Sequence, residues 1–288
     1  MKHNRILLTS VLGNTLEYYE FSIFAVFAVQ IGQCFFPGQS SSAQIVLTLT
    51  LFASGFLSRP FGSLIFGHIG DKFGRQKALM ITIIGMAIVT FSIGFMPSYN
   101  QIGMLAPWTL FLLRLLQGIF IGGEGAGSAV YILEHELRYK PSVIGGILIS
   151  SNVAGTFLAS IIGLVISKTA GLNDFSWRYA FFFGGIAGLL ISYFRLNLPE
   201  SIQYTNIETS KKSKLPVIQL FTKYWRQVLL VISFGGFSAS ISYMIKGIYQ
   251  YLFPKSFKTT CRIILQIFNA FIYFIRWPTT LYRVFLLQ

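Results

Sequence analysis

The chain has few charged residues. Only 11% of its 288 residues are Asp, Glu, Lys or Arg, whereas a soluble domain carries roughly 25%. Three stretches, 21–58, 78–113 and 141–167, contain no charged residue. Because a spanning helix needs about 20 largely apolar residues, each stretch is long enough to cross a membrane. The composition excludes an ordinary soluble protein and predicts an all-α polytopic membrane protein in contact with membrane lipid.

Cysteine is scarce as well. Cys34 and Cys261 form neither a metal-ligand spacing nor a disulfide framework. Because the sequence also lacks a nucleophile constellation and a phosphate-binding loop, we expect no enzyme, no cofactor and no metal site. The net charge of +14 does not indicate a nucleic-acid partner, because most basic residues lie in short loops between apolar runs. The basic start is followed by Glu17 and Glu20 and by no cleavage site, which predicts an uncleaved first helix.

Hydropathy and charge divide the chain into seven predicted helices and a tail. The helices are expected near 6–33, 45–69, 78–97, 107–132, 143–167, 179–197 and 227–247. We therefore predict four regions: a six-helix bundle over 1–198, a cytoplasmic link over 199–226, a seventh transmembrane helix over 227–247, and a degenerate or interfacial tail over 248–288. The tail's charge-free run at 263–275 is too short to span a membrane comfortably.

The positions of the basic residues predict the orientation. Cytoplasmic loops carry an excess of Lys and Arg. With the N-terminus inside, the following basic residues fall on the cytoplasmic side: Lys2, Arg5, Lys72, Arg75, Lys77, Arg138, Lys140, Arg195, Lys211, Lys212, Lys214, Lys223 and Arg226. Before the seventh helix, only Lys168 and Arg178 fall on the other side. We therefore expect a cytoplasmic N-terminus.

Ionisable residues inside the predicted helices cost several kcal/mol and mark a function or a buried pair. They are Glu17, Glu20, Arg59, Arg114 and Glu124. At about 1.5 Å per residue, all of these except Arg114 lie near the midplane, as does Asn152. Gln117 and Glu124 are seven residues apart and share a helix face. We predict a polar cavity with a proton-titratable site; the alternative is a set of structural ion pairs, such as Arg59 with a glutamate.

Glycines surround one of these acids. The segment "GIFIGGEGAG" (118–127) places five glycines around Glu124. Small residues allow helix backbones to approach closely, so close packing is expected to explain most of these glycines. Close packing does not explain the glutamate among them.

The stretch "GHIGDKFGRQK" (67–77) is dense in charge and glycine for such an apolar chain. It resembles the loop motif G-x-x-x-D-[RK]-x-G-[RK]-[RK] of the major facilitator superfamily, which joins the second and third helices. The matching residues are Gly67, Asp71, Lys72, Gly74 and Arg75; Gln76 departs from the motif and Lys77 follows it.

Further segments resemble the same superfamily. "RLLQGIFIGGE" (114–124) is similar to its helix-four motif R-x-x-Q-G, through Arg114, Gln117 and Gly118. Four segments together resemble the metabolite:proton symporter branch, nearest to the proline/betaine transporters. They are "GNTLEYYEF" (13–21), "SRPFGSLIFGHIGD" (58–71), "WRYAFFFGG" (177–185) and "RLNLPES" (195–201). The resemblance covers about residues 5 to 245.

The resemblance implies a fold of twelve helices in two six-helix halves, with the substrate between the halves. The predicted N-terminal bundle would be one such half, followed by a seventh helix and an irregular tail, and we expect a chain truncated after about seven helices. The 67–77 motif would be a cytoplasmic latch in which Asp71 pairs with basic groups and favours one access state. The alternative for this motif is a solvated, positively charged loop.

The implied function is proton-coupled symport of a small zwitterionic or carboxylated solute, such as proline or betaine, across the bacterial inner membrane. Substrate and proton would bind at Glu17, Glu20, Arg59, Gln117, Glu124 and Asn152. The alternatives are transport of an α-ketoglutarate-like organic acid and a truncated product that transports nothing. Because a charged face open to lipid is costly, we expect the chain to be inactive alone unless another chain covers the cavity.

Overall fold

The computed structural model describes residues 2–135, 139–169, 175–196, 198–200, 224–230, 233 and 237. The chain divides into two compact units, Met1–Ile207 and Glu208–Gln288. In the second unit, residues 225–230 are helical. Nearly all of the predicted link, most of the predicted seventh helix and the whole tail lie outside the described residues.

The first unit is helical throughout its described length. Its helices are α1 (Lys2–Val26), α2 (Ala28–Phe35), α3 (Ser41–Phe73), α4 (Arg75–Phe95), α5 (Tyr99–Ile102), α6 (Leu105–His135), α7 (Pro141–Thr169) and α8 (Ser176–Arg195). The all-α fold predicted from the sequence is confirmed. The predicted first helix at 6–33 is interrupted, because a turn at Phe27 separates α1 from α2.

The connection between α3 and α4 is much shorter than predicted. The sequence placed a loop at 70–77, but α3 continues to Phe73 and α4 begins at Arg75. The chain turns at Gly74, whose φ of +115° lies in a region that glycine adopts at little cost. The 67–77 motif is therefore two helix ends joined by one residue.

Three helix pairs have the most extensive contacts: α3 with α6, α1 with α7, and α4 with α8. Glycines bring α3 and α6 together. A Cβ atom added at Gly118 would overlap the Gly55 carbonyl, and one added at Gly122 would overlap the Arg59 carbonyl. Ser63 donates across the same interface to the Gly122 carbonyl at 2.7 Å. The predicted close packing of the 118–127 glycines is confirmed at these positions.

Apolar side chains fill the centre of the bundle and also cover its outside. Trp177, Phe181 and Ile83 are fully buried, whereas Leu57 is 73% exposed. Four of the described helices, α3, α4, α6 and α7, are long and apolar enough to cross a membrane. An apolar exterior of this kind is expected where lipid rather than water surrounds the helices.

Candidate functional site

Glu124 on α6 forms a fully buried ion pair with Arg195, the last residue of α8. Both side chains are at most 1% exposed. Arg195 Nη1 donates to Glu124 Oε2 at 2.9 Å, and Nη2 donates to Oε1 at 2.5 Å. Thr82 on α4 donates to Oε2 at 2.8 Å. We call Glu124 and Arg195 the Glu124 pair. Bidentate geometry of this kind is the strongest form of arginine–carboxylate contact.

Arg195 is also held by the backbone of two other helices. Its Nη1 donates to the Leu79 carbonyl at 3.3 Å, and its Nη2 donates to the Thr9 carbonyl at 3.2 Å. From the sequence, Arg195 was expected only to be one of the basic residues on the cytoplasmic side; its burial in an ion pair was not predicted. The side chain is buried because four helices, α1, α4, α6 and α8, converge on it.

Glu20 on α1 has different surroundings. Its Oε2 accepts hydrogen bonds from Thr90 at 2.5 Å and from Gln117 Nε2 at 3.0 Å. Gln117 Oε1 accepts a hydrogen bond from Arg114 Nη1 at 2.7 Å. We call these four residues the Glu20 network. Neutral side chains donate to the carboxylate directly, and Arg114 reaches it through Gln117.

The guanidinium of Arg114 is only partly bonded. The side chain is buried, at 3% exposure, and lies over the Phe24 ring at 3.4 Å. Its Nε and Nη2 atoms have no hydrogen-bond partner among the described residues. These two atoms form one edge of the planar guanidinium, and such an edge can bind a carboxylate with two parallel hydrogen bonds.

Glu17 and Arg59 are in loose contact. Glu17 Oε1 lies 3.9 Å from Arg59 Nη1, which is longer than a hydrogen bond. Glu17 Oε2 has no hydrogen-bond partner in the part of the chain that the structure describes, although it is buried. The predicted alternative of an ion pair between Arg59 and a glutamate is thus present, but in a weak form.

A small, partly open cavity lies between α1, α3 and α6. Arg59, Arg114 and Gln117 supply its polar wall, and Phe21 and Phe52 are part of its apolar wall. Gly118, the third residue of the helix-four motif, also lines it. The cavity therefore brings together two cations, an amide and two aromatic rings.

Asn152 lies elsewhere, at the interface of α1 and α7. The Nδ2 atom of Asn14 donates to Asn152 Oδ1, to Ser151 Oγ at 2.7 Å and to the Leu148 carbonyl at 2.9 Å. This group connects two helices that pack along their length. It does not line the described cavity.

The predicted site residues thus separate into several groups. Gln117 and Glu124 both face α4, as their spacing predicts, but Gln117 meets Thr90 and Glu124 meets Thr82. The sequence analysis missed both threonines and the role of Arg195. The threonines are uncharged and give no signal in a search for intramembrane charges. The signal for Arg195 was its position inside the predicted helix at 179–197.

The residues of the 67–77 motif join the ends of three helices. Arg75 Nη2 lies 2.8 Å from Asp71 Oδ1, and Arg75 Nε lies 3.6 Å from Glu134 Oε1 on α6. Lys72 Nζ lies 5.2 Å from the centre of the Phe73 ring, and Lys77 is exposed. A Cβ atom at Gly67 would meet no atom of the described structure within 4 Å, so packing there does not explain this glycine.

Glu200 completes the same end of the bundle. Its Oε1 accepts a hydrogen bond from the backbone N–H of Gln76, in the first turn of α4, at 3.2 Å. A carboxylate is favoured at this position because a helix N-terminus carries a partial positive charge. Tyr131 and His135 on α6 contact the backbone of Pro199 and Glu200. The segment after α8 is thereby attached to α4 and α6.

Comparison with known proteins identifies the family. The family model described as "Sugar (and other) transporter" matches residues 6–217. The chain belongs to this transporter family. Since the members compared are transporters, and since α3, α4, α6 and α7 have the length and composition of membrane spans, the chain is a multi-pass membrane protein of the major facilitator superfamily.

Individual relatives of this family are similar over about half of their length. The chain is 35% identical to the proline/betaine transporter of Escherichia coli K12 over 244 residues, which cover 80% of this chain and 49% of the relative. It is 34% identical to the glycine betaine/proline/ectoine/pipecolic acid transporter OusA of Dickeya dadantii, over 79% of this chain and 48% of the relative.

Solved structures of the family show the same fold. The proton:xylose symporter XylE bound to 6-bromo-6-deoxy-D-glucose matches with a TM-score of 0.72 and 16% identity, over 96% of this chain and 69% of the symporter chain. A partially occluded inward-open XylE from E. coli matches with a TM-score of 0.64 and 19% identity, over 87% and 64%. At this identity the likeness concerns the fold alone.

Proposed function

We propose that the chain takes part in proton-coupled symport of a small zwitterionic or carboxylated solute, such as proline or betaine. The similarity to proline/betaine transporters supports this solute class. The observation that carries the proposal is the cavity wall at Arg114, whose buried Nε and Nη2 edge has no partner among the described residues. A solute carboxylate would supply the two missing acceptors.

The acids have separate roles in this proposal. Glu20 contacts the cavity-lining Gln117, and Glu17 contacts the cavity-lining Arg59. Both are therefore placed to exchange a proton in response to events in the cavity. Glu124 is held by a bidentate arginine, so we assign it to the support of the bundle. Asn152 would act with Asn14 in holding α7 against α1.

Reconstituted uptake tests the proposal. The purified chain is placed in vesicles, and uptake of labelled proline and of glycine betaine is measured with and without an imposed proton gradient. We expect gradient-dependent uptake that Arg114→Gln abolishes and that the exposed control Arg5→Gln leaves unchanged. Uptake that ignores the gradient would contradict proton coupling. Competition by α-ketoglutarate alone would favour the organic-acid alternative.

The chain spans about half the length of the relatives it matches. We further propose that a second chain completes the cavity, since a charged face open to lipid would be costly. Measuring uptake as a function of the protein-to-lipid ratio tests this requirement. Uptake should rise with the square of the chain density if two copies form one cavity. No uptake at any density would favour the non-transporting alternative.

For the 67–77 motif we propose the latch role. Asp71 pairs with Arg75 at the start of α4. Asp71 lies near the end of α3, twelve residues after the cavity-lining Arg59. Asp71→Asn should change which side of the membrane a cavity cysteine is labelled from, and should leave solute affinity unchanged. A changed affinity with unchanged labelling would assign Asp71 to solute binding instead.

The proposed orientation is a cytoplasmic N-terminus in the bacterial inner membrane. It is supported by the excess of basic residues in the predicted cytoplasmic segments. A cysteine at Ser210 should react only with reagents added from the cytoplasmic side. Rapid, specific labelling from the periplasm would reverse the orientation.

A further inference from the structure

Three phenylalanine rings on α1 and α3 form a compact cluster next to the cavity. The ring centres of Phe21 and Phe52 are 4.3 Å apart, those of Phe21 and Phe56 are 4.5 Å apart, and those of Phe52 and Phe56 are 5.5 Å apart. We call Phe21, Phe52 and Phe56 the phenylalanine cluster. Grouped aromatic faces of this kind attract cations, including quaternary ammonium groups.

The cation on this cluster is a side chain of the protein. The Arg59 guanidinium carbon lies 4.7 Å from the centre of the Phe21 ring and 4.8 Å from that of Phe56. Both distances are within the range of a cation–π interaction, which extends to about 6 Å. Arg59 therefore occupies the position that a bound cation would take.

Arg59 is weakly held there by comparison with the other intramembrane arginines. Its side chain is 25% exposed, its distance to Glu17 is 3.9 Å, and its Nε has no hydrogen-bond partner among the described residues. Arg195, by contrast, is 1% exposed and makes two short hydrogen bonds to Glu124. Since side-chain rearrangement is easiest where few contacts must break, Arg59 is the arginine that can move.

The cluster and the Arg114 edge lie on one cavity. Phe21, Phe52 and Arg59 line it together with Arg114, which offers two unpaired, buried donors within the described chain. A zwitterion has an anionic end that suits Arg114 and a cationic end that suits the phenylalanine cluster. The two ends can bind at the same time only if Arg59 leaves the rings.

We propose that Arg59 is an internal occupant of a cation site formed by the rings of Phe21 and Phe56, and that the ammonium group of a zwitterionic solute displaces it while the solute carboxylate binds Arg114. This inference rests on the proposed function and specifies how the solute class is recognised. Arg59 is thereby a specificity-determining residue that competes with the solute for the rings.

Two probes of equal shape separate charge recognition from size. Glycine betaine carries a trimethylammonium group, and 3,3-dimethylbutanoate carries the uncharged tert-butyl group in its place. Their affinities for the purified chain in detergent are measured by equilibrium dialysis. We expect a preference for glycine betaine, and we expect Phe21→Leu and Phe56→Leu each to reduce this preference by about 3- to 10-fold. Phe95→Leu, on the exposed side of α4, is the matched control and should leave the preference unchanged.

Removal of the internal cation gives the opposite effect. Arg59→Ala should raise the affinity for glycine betaine by about 3- to 10-fold, because the competitor is gone. Arg59→Gln is the second variant, in case alanine disturbs folding, and should act in the same direction. A weaker affinity in both variants would show that Arg59 holds the carboxylate, and would overturn the inference.

The outcomes distinguish this inference from the proposed function. If the chain binds both probes, Arg114→Gln abolishes both affinities, and the phenylalanine variants leave the preference unchanged, the cation site is wrong and the carboxylate site stands. If the chain binds neither probe, both proposals are wrong.

Discussion

Glu124 and Glu20 are both completely buried, yet their surroundings differ in kind. Glu124 meets the two donors of Arg195 and the hydroxyl of Thr82. Glu20 meets only neutral donors directly, Thr90 and Gln117, and its Oε1 has no hydrogen-bond partner among the described residues. A buried carboxylate beside a bidentate arginine is neutralised where it stands. A buried carboxylate whose direct partners are neutral donors has no paired cation, so it can gain and lose a proton.

The two sites form two layers of one bundle. Gln117 and Glu124 are seven residues apart on α6, and Thr90 and Thr82 are eight residues apart on α4. At about 1.5 Å per residue, the layers are separated by roughly 10–12 Å. The Glu20 layer borders the cavity through Gln117, while the Glu124 layer ties α8 to α6. Both acids are buried, and the sequence placed both near the midplane; under the proposed function, the partner of each carboxylate separates the supporting acid from the one that exchanges a proton.

The largest effect on stability is expected from removing the arginine of the Glu124 pair. Arg195→Met leaves a buried carboxylate without its cation, so we expect the free energy of unfolding to fall by about 3–5 kcal/mol. Thermal unfolding in detergent measures the loss, with the exposed Arg5→Met as control. The double variant Arg195→Met/Glu124→Met should recover most of the stability, because the Thr82 hydroxyl can then donate its proton to the Leu79 carbonyl, 3.0 Å away. An unchanged melting temperature in Arg195→Met would contradict the assigned role.

Two glycine substitutions test how tightly the side chains around Glu124 and around Glu17 are packed. A Cβ atom at Gly13 would overlap Arg195 Nη2 and lie 2.7 Å from Glu124 Oε1, whereas one at Gly125 would lie 3.3 Å from Glu17 Oε2. Gly13→Ala should therefore lower the free energy of unfolding by about 1–3 kcal/mol through overpacking. Gly125→Ala should be close to neutral. Equal effects in chemical unfolding of the two variants would mean that the Glu124 pair is not rigid.

The acids themselves should respond in opposite ways. Under the proposed function, Glu20→Gln should lower proton-driven uptake by about 10-fold or more, since the exchangeable intramembrane charge is lost, with little change in melting temperature. Glu124→Gln should chiefly lower the melting temperature. Measuring both quantities on both variants is essential. Loss of uptake in Glu124→Gln at full stability would give Glu124 the proton instead.

The smallest effects are expected from the two threonines. Thr82→Val removes one of the donors to Glu124 and should cost about 1 kcal/mol of unfolding free energy, without altering uptake. Thr90→Val removes one of two donors to Glu20 and should alter the rate of uptake by a few-fold. A reversed pattern, with uptake sensitive to Thr82, would exchange the roles of the two layers.

Composition and residue spacing predicted much of this molecule. The scarcity of charge predicted membrane-length helices. In lipid there is no water to hydrogen-bond the backbone, and a helix satisfies these groups internally. The sequence also indicated the candidate site residues, because a charge in lipid is costly and marks a function or a buried pair. These residues are Glu17, Glu20, Arg59, Arg114 and Glu124. The glycines of 118–127 predicted close contact for α6. Each of these inferences depends on composition or on spacing along one helix.

Which charge meets which partner depends on the packing of one helix against another. Pairing of Glu124 with Arg195, rather than with Arg59, depends on how α6 and α8 are rotated toward each other, and the spacing within one helix does not fix that rotation. Arg195 lies at the end of a predicted helix, next to a cytoplasmic segment, and is buried because four helices meet around it. Thr82 and Thr90 are unremarkable in sequence and become carboxylate donors through the packing of α4. Contacts between helices are set by the shape of whole surfaces, and shape is a property of the folded chain.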